Sequence, residues 1–249
     1  MSGALHAPSA LVTGGSRGIG RGIALCLAKR GWGVTIAARG VEALEARVRD
    51  LTSLGSSAIA VAGDVSDDLH VTDLIERHLD AFGGLDALVL AAGVGSAGPL
   101  AGYQARRLDR QIDVNFRGPF LLTAAALPSL RATAQRNDSG VARVIALSSL
   151  EGLHPESGLA AYGATKAALI SLVNSINTEE RGNGVMATAI APGYVDTEMS
   201  DWISDVIPKA SMLSVDDITR CVELILDLSP QALLPQIVLS RREAATYQA

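Results

Sequence analysis

Ser9-Ala10-Leu11-Val12-Thr13-Gly14-Gly15-Ser16-Arg17-Gly18-Ile19-Gly20 is the stretch that decides how this chain must fold. Its first five residues form a short apolar run, and the seven that follow hold four glycines. Behind them, Gly18 to Arg30 reads as a helix with Ile19, Ile23, Leu25, Leu27 and Ala28 on its packing face. A short apolar run closed by a glycine-rich turn is a strand buried on both faces. Such strands belong to parallel sheets covered by helices.

The same alternation repeats outward from that stretch. Strands are predicted at Gly33–Ala38, Ala58–Ala62, Asp86–Ala92, Val141–Leu147, Val185–Ile190 and Leu233–Leu239. Helices are predicted at Glu42–Leu54, Asp67–Phe82, Gln104–Thr133, Leu159–Arg181 and Val215–Leu228. The long helix from Gln104 should be disturbed at Gly118-Pro119 and Pro128, because proline lacks the N–H a helix needs. Pro192 to Leu213 reads as irregular, and the tail from Arg241 as loose. Strands apolar on both faces, alternating with helices, give an α/β class with one doubly wound domain over residues 1–249.

Composition narrows the class further. With 48% hydrophobic residues in 249, the chain can bury a sizeable core. A net charge of −5 with scattered basic residues gives no nucleic-acid surface. No apolar run is long enough to span a bilayer, and Met1 to Ala10 lacks the pattern of a secretory signal. Cys26 and Cys221 fall in separate predicted helices with no metal-ligand spacing. They read as buried free thiols, with no structural metal, in a cytoplasmic protein.

The glycines of Gly14 to Gly20 sit where a strand turns into a helix. There they permit a tight turn, close approach of a pyrophosphate to bare backbone, and close helix packing. The helix N-terminus adds unpaired N–H groups and a partial positive charge. The spacing is Gly-x-x-x-Gly-x-Gly rather than Gly-x-Gly-x-x-Gly, and the alternative is a glycine-rich turn without a ligand. At the end of the second strand, Ala37-Ala38-Arg39-Gly40 offers no carboxylate for a ribose 2′-hydroxyl. Arg39 with Arg17 would suit a 2′-phosphate instead, which makes NADP(H) the expected cofactor. The plainer reading of Arg39 is a solvated surface side chain. Asp64, in Gly63-Asp64-Val65, would accept from an adenine amino group or simply cap a helix.

Within the helix from Leu159, Tyr162 and Lys166 are one turn apart and share a face. A phenol with a cation beside it is a candidate acid/base near neutrality. Only Lys29, Lys166 and Lys209 are lysines in a chain that otherwise uses arginine.

Taken in order, Thr13 to Gly20, Asp64, Ala91-Ala92-Gly93, Asn115, Ser149, Tyr162 with Lys166, and Pro192-Gly193 resemble the short-chain dehydrogenase/reductase family. The resemblance implies a Rossmann-type sheet of about seven strands and NAD(P)-dependent oxidation or reduction. It implies Tyr162 as general acid/base and Lys166 as the group that lowers its pKa and binds the nicotinamide ribose. Ser149, thirteen positions before Tyr162, would hydrogen-bond the substrate oxygen, in preference to Ser148. Asn115 would hold a water linking Lys166 to solvent. Cofactor contacts are implied at Gly14, Ser16, Arg17, Gly18, Ile19, Gly20, Arg39, Asp64, Val65, Ala91, Gly93, Tyr162, Lys166, Pro192, Gly193, Val195 and Thr197. The long helices resemble those that pair in homodimers or homotetramers of the family.

Two departures stand out. Leu90-Ala91-Ala92-Gly93 lacks the usual Asn after the fourth strand, and Pro235 to Arg241 replaces the usual glycine-rich ending. The substrate-facing segments, Val94–Leu100, Leu150–Ala160 and Tyr194–Leu213, carry Glu151, Glu156, Asp196, Glu198, Asp201, Asp205, Lys209 and His154 but no Arg cluster. Leu153, Tyr194, Trp202 and Ile203 are the expected apolar wall. A neutral ketone or secondary alcohol fits this balance. The alternative is a catalytically weak or inactive cofactor-sensing protein on the same fold.

Overall fold

The computed structural model describes residues 7–244. Parts of the N-terminal reading (1–6) and of the loose-tail reading (245–249) lie outside the described residues. Seven parallel strands form one sheet in the order β3-β2-β1-β4-β5-β6-β7. Their ranges are β1 Ser9–Thr13, β2 Gly33–Ala38, β3 Ala58–Ala62, β4 Ala87–Leu90, β5 Ala142–Leu147, β6 Val185–Pro192 and β7 Gln236–Leu239. The helices are α1 Gly18–Lys29, α2 Val41–Ser53, α3 Asp68–Phe82, α4 Ala105–Ile112, α5 Gly118–Ala134, α6 Ala160–Glu180 and α7 Val215–Asp227.

Alternate strand residues point to opposite faces, so each central strand feeds two cores. Leu11, Leu88 and Val144 meet Leu74, Leu122, Leu130, Leu169 and Val173 on the side of α3, α5 and α6. Val12, Val89 and Ile145 meet Ile23, Leu27, Leu44, Ile218 and Val222 on the side of α1, α2 and α7. The strand order reverses between β1 and β4, which opens a crevice at their C-terminal ends.

Four boundaries differ from the sequence expectation. First, β4 stops at Leu90 because the next two N–H groups leave the ladder: Ala91 and Ala92 donate to Thr13 Oγ1 at 3.0 and 3.1 Å. Thr13 Oγ1 itself donates to the Val89 carbonyl at 3.3 Å. This hydroxyl supplies polar contacts directly after β4, where the sequence lacks the usual Asn.

Second, the long helix breaks upstream of Gly118-Pro119. A π-helical turn spans Asp113–Arg117, and the Gly118 N–H donates to the Asp113 carbonyl. Pro119 cannot supply the N–H that an α-helix would aim at the Asn115 carbonyl. A side chain at Gly118 would sit 2.6 Å from the Val65 carbonyl oxygen, so the bulge also seats this helix against the loop after β3. Pro128, by contrast, lies inside α5 without interrupting it.

Third, β6 runs on to Pro192, where it pairs with Leu239. Fourth, β7 begins only after Pro235, whose carbonyl accepts from Ala189 at 3.0 Å. The irregular segment holds two short 3-10 turns, Glu198–Ile203 and Lys209–Ser211.

Thr13→Val is expected to leave the Ala91 and Ala92 N–H groups without their acceptor and to cost about 1–3 kcal/mol in urea unfolding. Thr13→Ser, which keeps the oxygen, should recover most of that loss. Equal stability of both variants and wild type would contradict the anchoring role of the hydroxyl.

Candidate active site

The crevice between β1 and β4 divides into two adjoining cavities. Ile19, Ala91, Gly93, Thr197 and Met199 face both. The first, about 400 Å³, runs over the glycine turn. Gly14 and Gly18 adopt left-handed φ angles of 69° and 52°, which side chains resist. A Cβ on Gly20 would lie 2.4 Å from the Gly14 carbonyl oxygen, and one on Gly14 would strike the Ala92 backbone at 2.9 Å. The turn is therefore bare backbone by steric necessity. No side chain caps α1 at Arg17, so its first-turn N–H groups face the cavity uncapped. That arrangement suits the pyrophosphate of a dinucleotide.

Arg17 and Arg39 are exposed along the same cavity. Asp64 and Val65 line it as well. The Asp64 carboxylate accepts from the Ser66 N–H at 3.0 Å, the Ser66 hydroxyl at 2.7 Å and Arg110 at 3.0 Å. Burial pulls its pKa upward, but Ser66 and Arg110 outweigh this and hold it below the usual carboxylate range. The helix cap of α3 is Asp67, which accepts from the Leu69 N–H, so Asp64 is left to the cavity wall.

The second cavity, about 450 Å³, holds the predicted chemistry. Ser148, Ser149, Tyr162, Lys166, Pro192, Gly193 and Val195 all line it. Ser149 follows β5, and Tyr162 and Lys166 lie in the first two turns of α6. Two glycines bring these elements together. A Cβ on Gly152 would sit 2.8 Å from the Lys166 carbonyl carbon, and one on Gly163 would sit 2.7 Å from the Glu151 carbonyl oxygen. The Ser148 hydroxyl is spent on the Lys166 carbonyl at 2.9 Å, while the Ser149 hydroxyl makes no bond to α6 backbone.

Lys166 is 4% exposed and donates to the Leu147 carbonyl at 2.7 Å. Its Nζ lies 5.6 Å from the Tyr162 ring centroid. Burial pushes its pKa down to about 8, against the pull of Glu151. The Tyr162 phenol is pushed up, first by desolvation and then by Glu151, while a hydrogen bond from Ser149 draws it down. The net shift of the phenol in this environment is upward, and Lys166 is not among its causes.

Asn115 sits in the π turn and is fully buried. Its amide accepts from the Val94 N–H at 2.8 Å and donates to the Val94 carbonyl at 2.9 Å and to Thr165 at 3.0 Å. The side chain thus clamps the loop after β4 to α6. A Cβ on Gly93 would lie 3.5 Å from Lys166 Nζ and 3.6 Å from Asn115 Oδ1, so the three are immediate neighbours.

The expected apolar wall is half right. Tyr194 and Trp202 line the cavity and meet edge to face at 6.1 Å. Leu153 instead packs on the α6 side of the core, and Ile203 does not line the cavity. Met199, Leu159, Ala97 and Ser96 take part where sequence reasoning named no side chain. Glu151, read as one of several charges in a loop, is 7% exposed and accepts from the Ser149 hydroxyl. Its place beside Ser149 in Ser-x-Glu-Gly was the signal available in the sequence. Lys209 is held by Asp201 at 2.7 Å and Asp196 at 3.4 Å.

A family model described as short chain dehydrogenase matches residues 8–206. The chain is 37% identical over 213 residues to the 3-oxoacyl-[acyl-carrier-protein] reductase FabG of Staphylococcus aureus, covering 85% of this chain and 84% of that protein. It is 34% identical over 207 residues to an uncharacterized oxidoreductase of Listeria monocytogenes, covering 82% and 81%. Among solved structures, an alcohol dehydrogenase from Thermococcus sibiricus complexed with 5-hydroxy-NADP superposes with a TM-score of 0.85 at 26% identity, covering 96% and 98%. A 3-ketoacyl-(acyl-carrier-protein) reductase from Brucella melitensis complexed with NADH gives 0.84 at 26% identity, covering 95% and 97%.

Gly163→Ala is expected to push the turn carrying Ser149 away from α6, with a stability loss of about 1–3 kcal/mol. Thermal unfolding checks the first effect. Turnover should fall while cofactor affinity, read by fluorescence titration, stays near wild type.

Proposed function

The chain belongs to the short-chain dehydrogenase family, and we propose that it is an NADP(H)-dependent oxidoreductase acting between a neutral ketone and its secondary alcohol. The observation that carries this reading is the convergence of Ser149, Tyr162 and Lys166 on a cavity adjoining the bare-backbone glycine turn. A bound nicotinamide would supply or take the hydride. In reduction, Tyr162 gives its proton to the substrate oxygen while the Ser149 hydroxyl hydrogen-bonds that oxygen. The Tyr162 phenol is protonated at neutral pH and so can serve as the donor in reduction, although its upward shift makes it a weaker acid. Lys166 binds the ribose of the cofactor and relays protons. The Asn115 carbonyl, which Pro119 cannot engage, is an acceptor for a water on that path.

Arg17 and Arg39 support a 2′-phosphate, since the cavity beside β2 offers them and no carboxylate at the strand's end. Tyr194, Trp202 and Met199 give the substrate cavity an apolar side. The long helices α5 and α6 are the surfaces for a homodimer or homotetramer. Among the described residues no helix is long and apolar enough to cross a membrane.

A second reading is a 3-oxoacyl thioester substrate, favoured by the 37% identity to the Staphylococcus aureus reductase. A thioester on a phosphopantetheine arm carries a phosphate, and Lys209, the lysine of the segment after β6, is already paired with Asp196 and Asp201. NADPH oxidation over a panel of ketones, aldehydes, quinones and 3-oxoacyl thioesters, with NADH as comparison, separates the readings. Preference for the thioesters would displace the neutral ketone.

Three outcomes are expected. Tyr162→Phe should lower turnover by roughly 10²–10⁴-fold with NADPH binding nearly intact. Inertness of wild type and variant over the whole panel would favour a cofactor-sensing protein. Arg39→Ala should weaken NADPH by about 1.5–3 kcal/mol, roughly tenfold or more in Kd, and leave NADH unchanged. Reductase activity should decline as pH rises through about 8, where the Lys166 ammonium loses its proton. A kcat/KM profile flat through that pH would contradict the role of its charge.

A further inference from the structure

Glu151 is a buried carboxylate in the wall of a cavity whose reaction, as proposed above, needs none. It stands on the 3-10 turn Leu150–Gly152, 7% exposed, and its Oε2 accepts from the Ser149 hydroxyl. Tyr162 and Lys166 approach from α6, Glu156 from the loop before it, and Tyr194 from the loop after β6. Tyr194 is itself tied to Glu156 at 3.0 Å. Lys166, the cation among them, donates to the Leu147 carbonyl rather than to Glu151.

A serine hydroxyl has one hydrogen. While Glu151 is ionised it is acceptor-only, so the Ser149 hydrogen is spent on it and is not available to a substrate carbonyl. The Pro192 carbonyl, 3.3 Å from Ser149 Oγ, and the Tyr162 phenol oxygen compete for the same hydrogen. When Glu151 carries a proton, its O–H donates to Ser149 Oγ, and the serine hydrogen turns to the cavity. No bond to carbon changes in this step, and the Glu151 proton stays on the carboxyl throughout.

We propose that Glu151 is a positioning residue that orients the Ser149 hydroxyl, and that its protonated form is the one competent for carbonyl reduction. The inference rests on the reading of Ser149 as the carbonyl-binding hydroxyl. Burial, with Glu156 adding to it, raises the Glu151 pKa against the opposing pull of Ser149 and Lys166, so the protonated form persists above the ordinary carboxylate range. Ionised Glu151 also holds the Tyr162 phenol up, making it a weaker acid.

The test combines a pH profile with a measurement that needs no substrate. In wild type, kcat for ketone reduction should fall about tenfold per pH unit above the Glu151 ionisation, a limb in addition to that of Lys166. Glu151→Gln keeps the size of the side chain and offers an N–H to Ser149 at every pH. It should abolish the Glu151 limb, keep that of Lys166, and leave KM within a few-fold. Glu151→Asp should restore a second pH-dependent limb. The infrared band of a protonated carboxyl should be present in wild type on the acid side of the Glu151 limb, absent in Glu151→Gln, and shifted in Ser149→Ala. An unchanged pH profile in Glu151→Gln, or a band that Ser149→Ala does not move, would overturn the proposal. Because the band is read without turnover, failure of the oxidoreductase reading shows separately, as inertness over the carbonyl panel.

Discussion

The site depends on one close contact between the turn after β5 and the first turns of α6. Two glycines, Gly152 and Gly163, let backbone touch backbone where a single methyl group would overlap at under 3 Å. Dense interiors do not absorb such an overlap without moving a whole element. Ser149 sits three residues before one of these glycines and Tyr162 immediately before the other. The distance between hydroxyl and phenol is therefore set by steric exclusion, independent of any attraction between the two.

The same closeness shapes the electrostatics. Lys166 is buried against the Leu147 carbonyl and pushed down to about 8, while Tyr162 is pushed up. Two desolvated groups of opposite kind move apart in this way because each loses water that stabilised its charged form. Glu151 strengthens the upward shift of the phenol and partly offsets the downward shift of the lysine. A carboxylate placed here makes the site more acidic in charge and more dependent on protonation than Ser149, Tyr162 and Lys166 would be alone.

Much of the framework was legible because it rests on local pattern. β1, β2 and β3 lie where their uninterrupted apolar runs place them, and most helix ends fall within a residue of the predicted ones. The misses share a cause. β4 ends early because Thr13, 78 residues away in sequence, takes the Ala91 N–H. The helix after it bulges at Asp113–Arg117 because Pro119 lacks a donor and Gly118 must approach the Val65 carbonyl. Leu153 turns to the core although Glu151, two residues before it, lines the cavity. Long-range partners decided the first and the last of these, while the bulge, expected at Gly118-Pro119, joins a local cause, the missing Pro119 donor, to the approach of Val65.

What the sequence determined by itself was the doubly wound sheet, the glycine turn over which a dinucleotide would lie, and the identities of Ser149, Tyr162 and Lys166. Period, glycine placement and residue type are local properties, readable without partners. Tertiary structure alone decided that Ser148 is spent on the Lys166 carbonyl, that Asn115 clamps Val94 to Thr165, and that Glu151 is buried on Ser149. A hydrogen bond and a desolvation both depend on what the folded chain brings within about 3 Å, and no spacing in the sequence carries that distance.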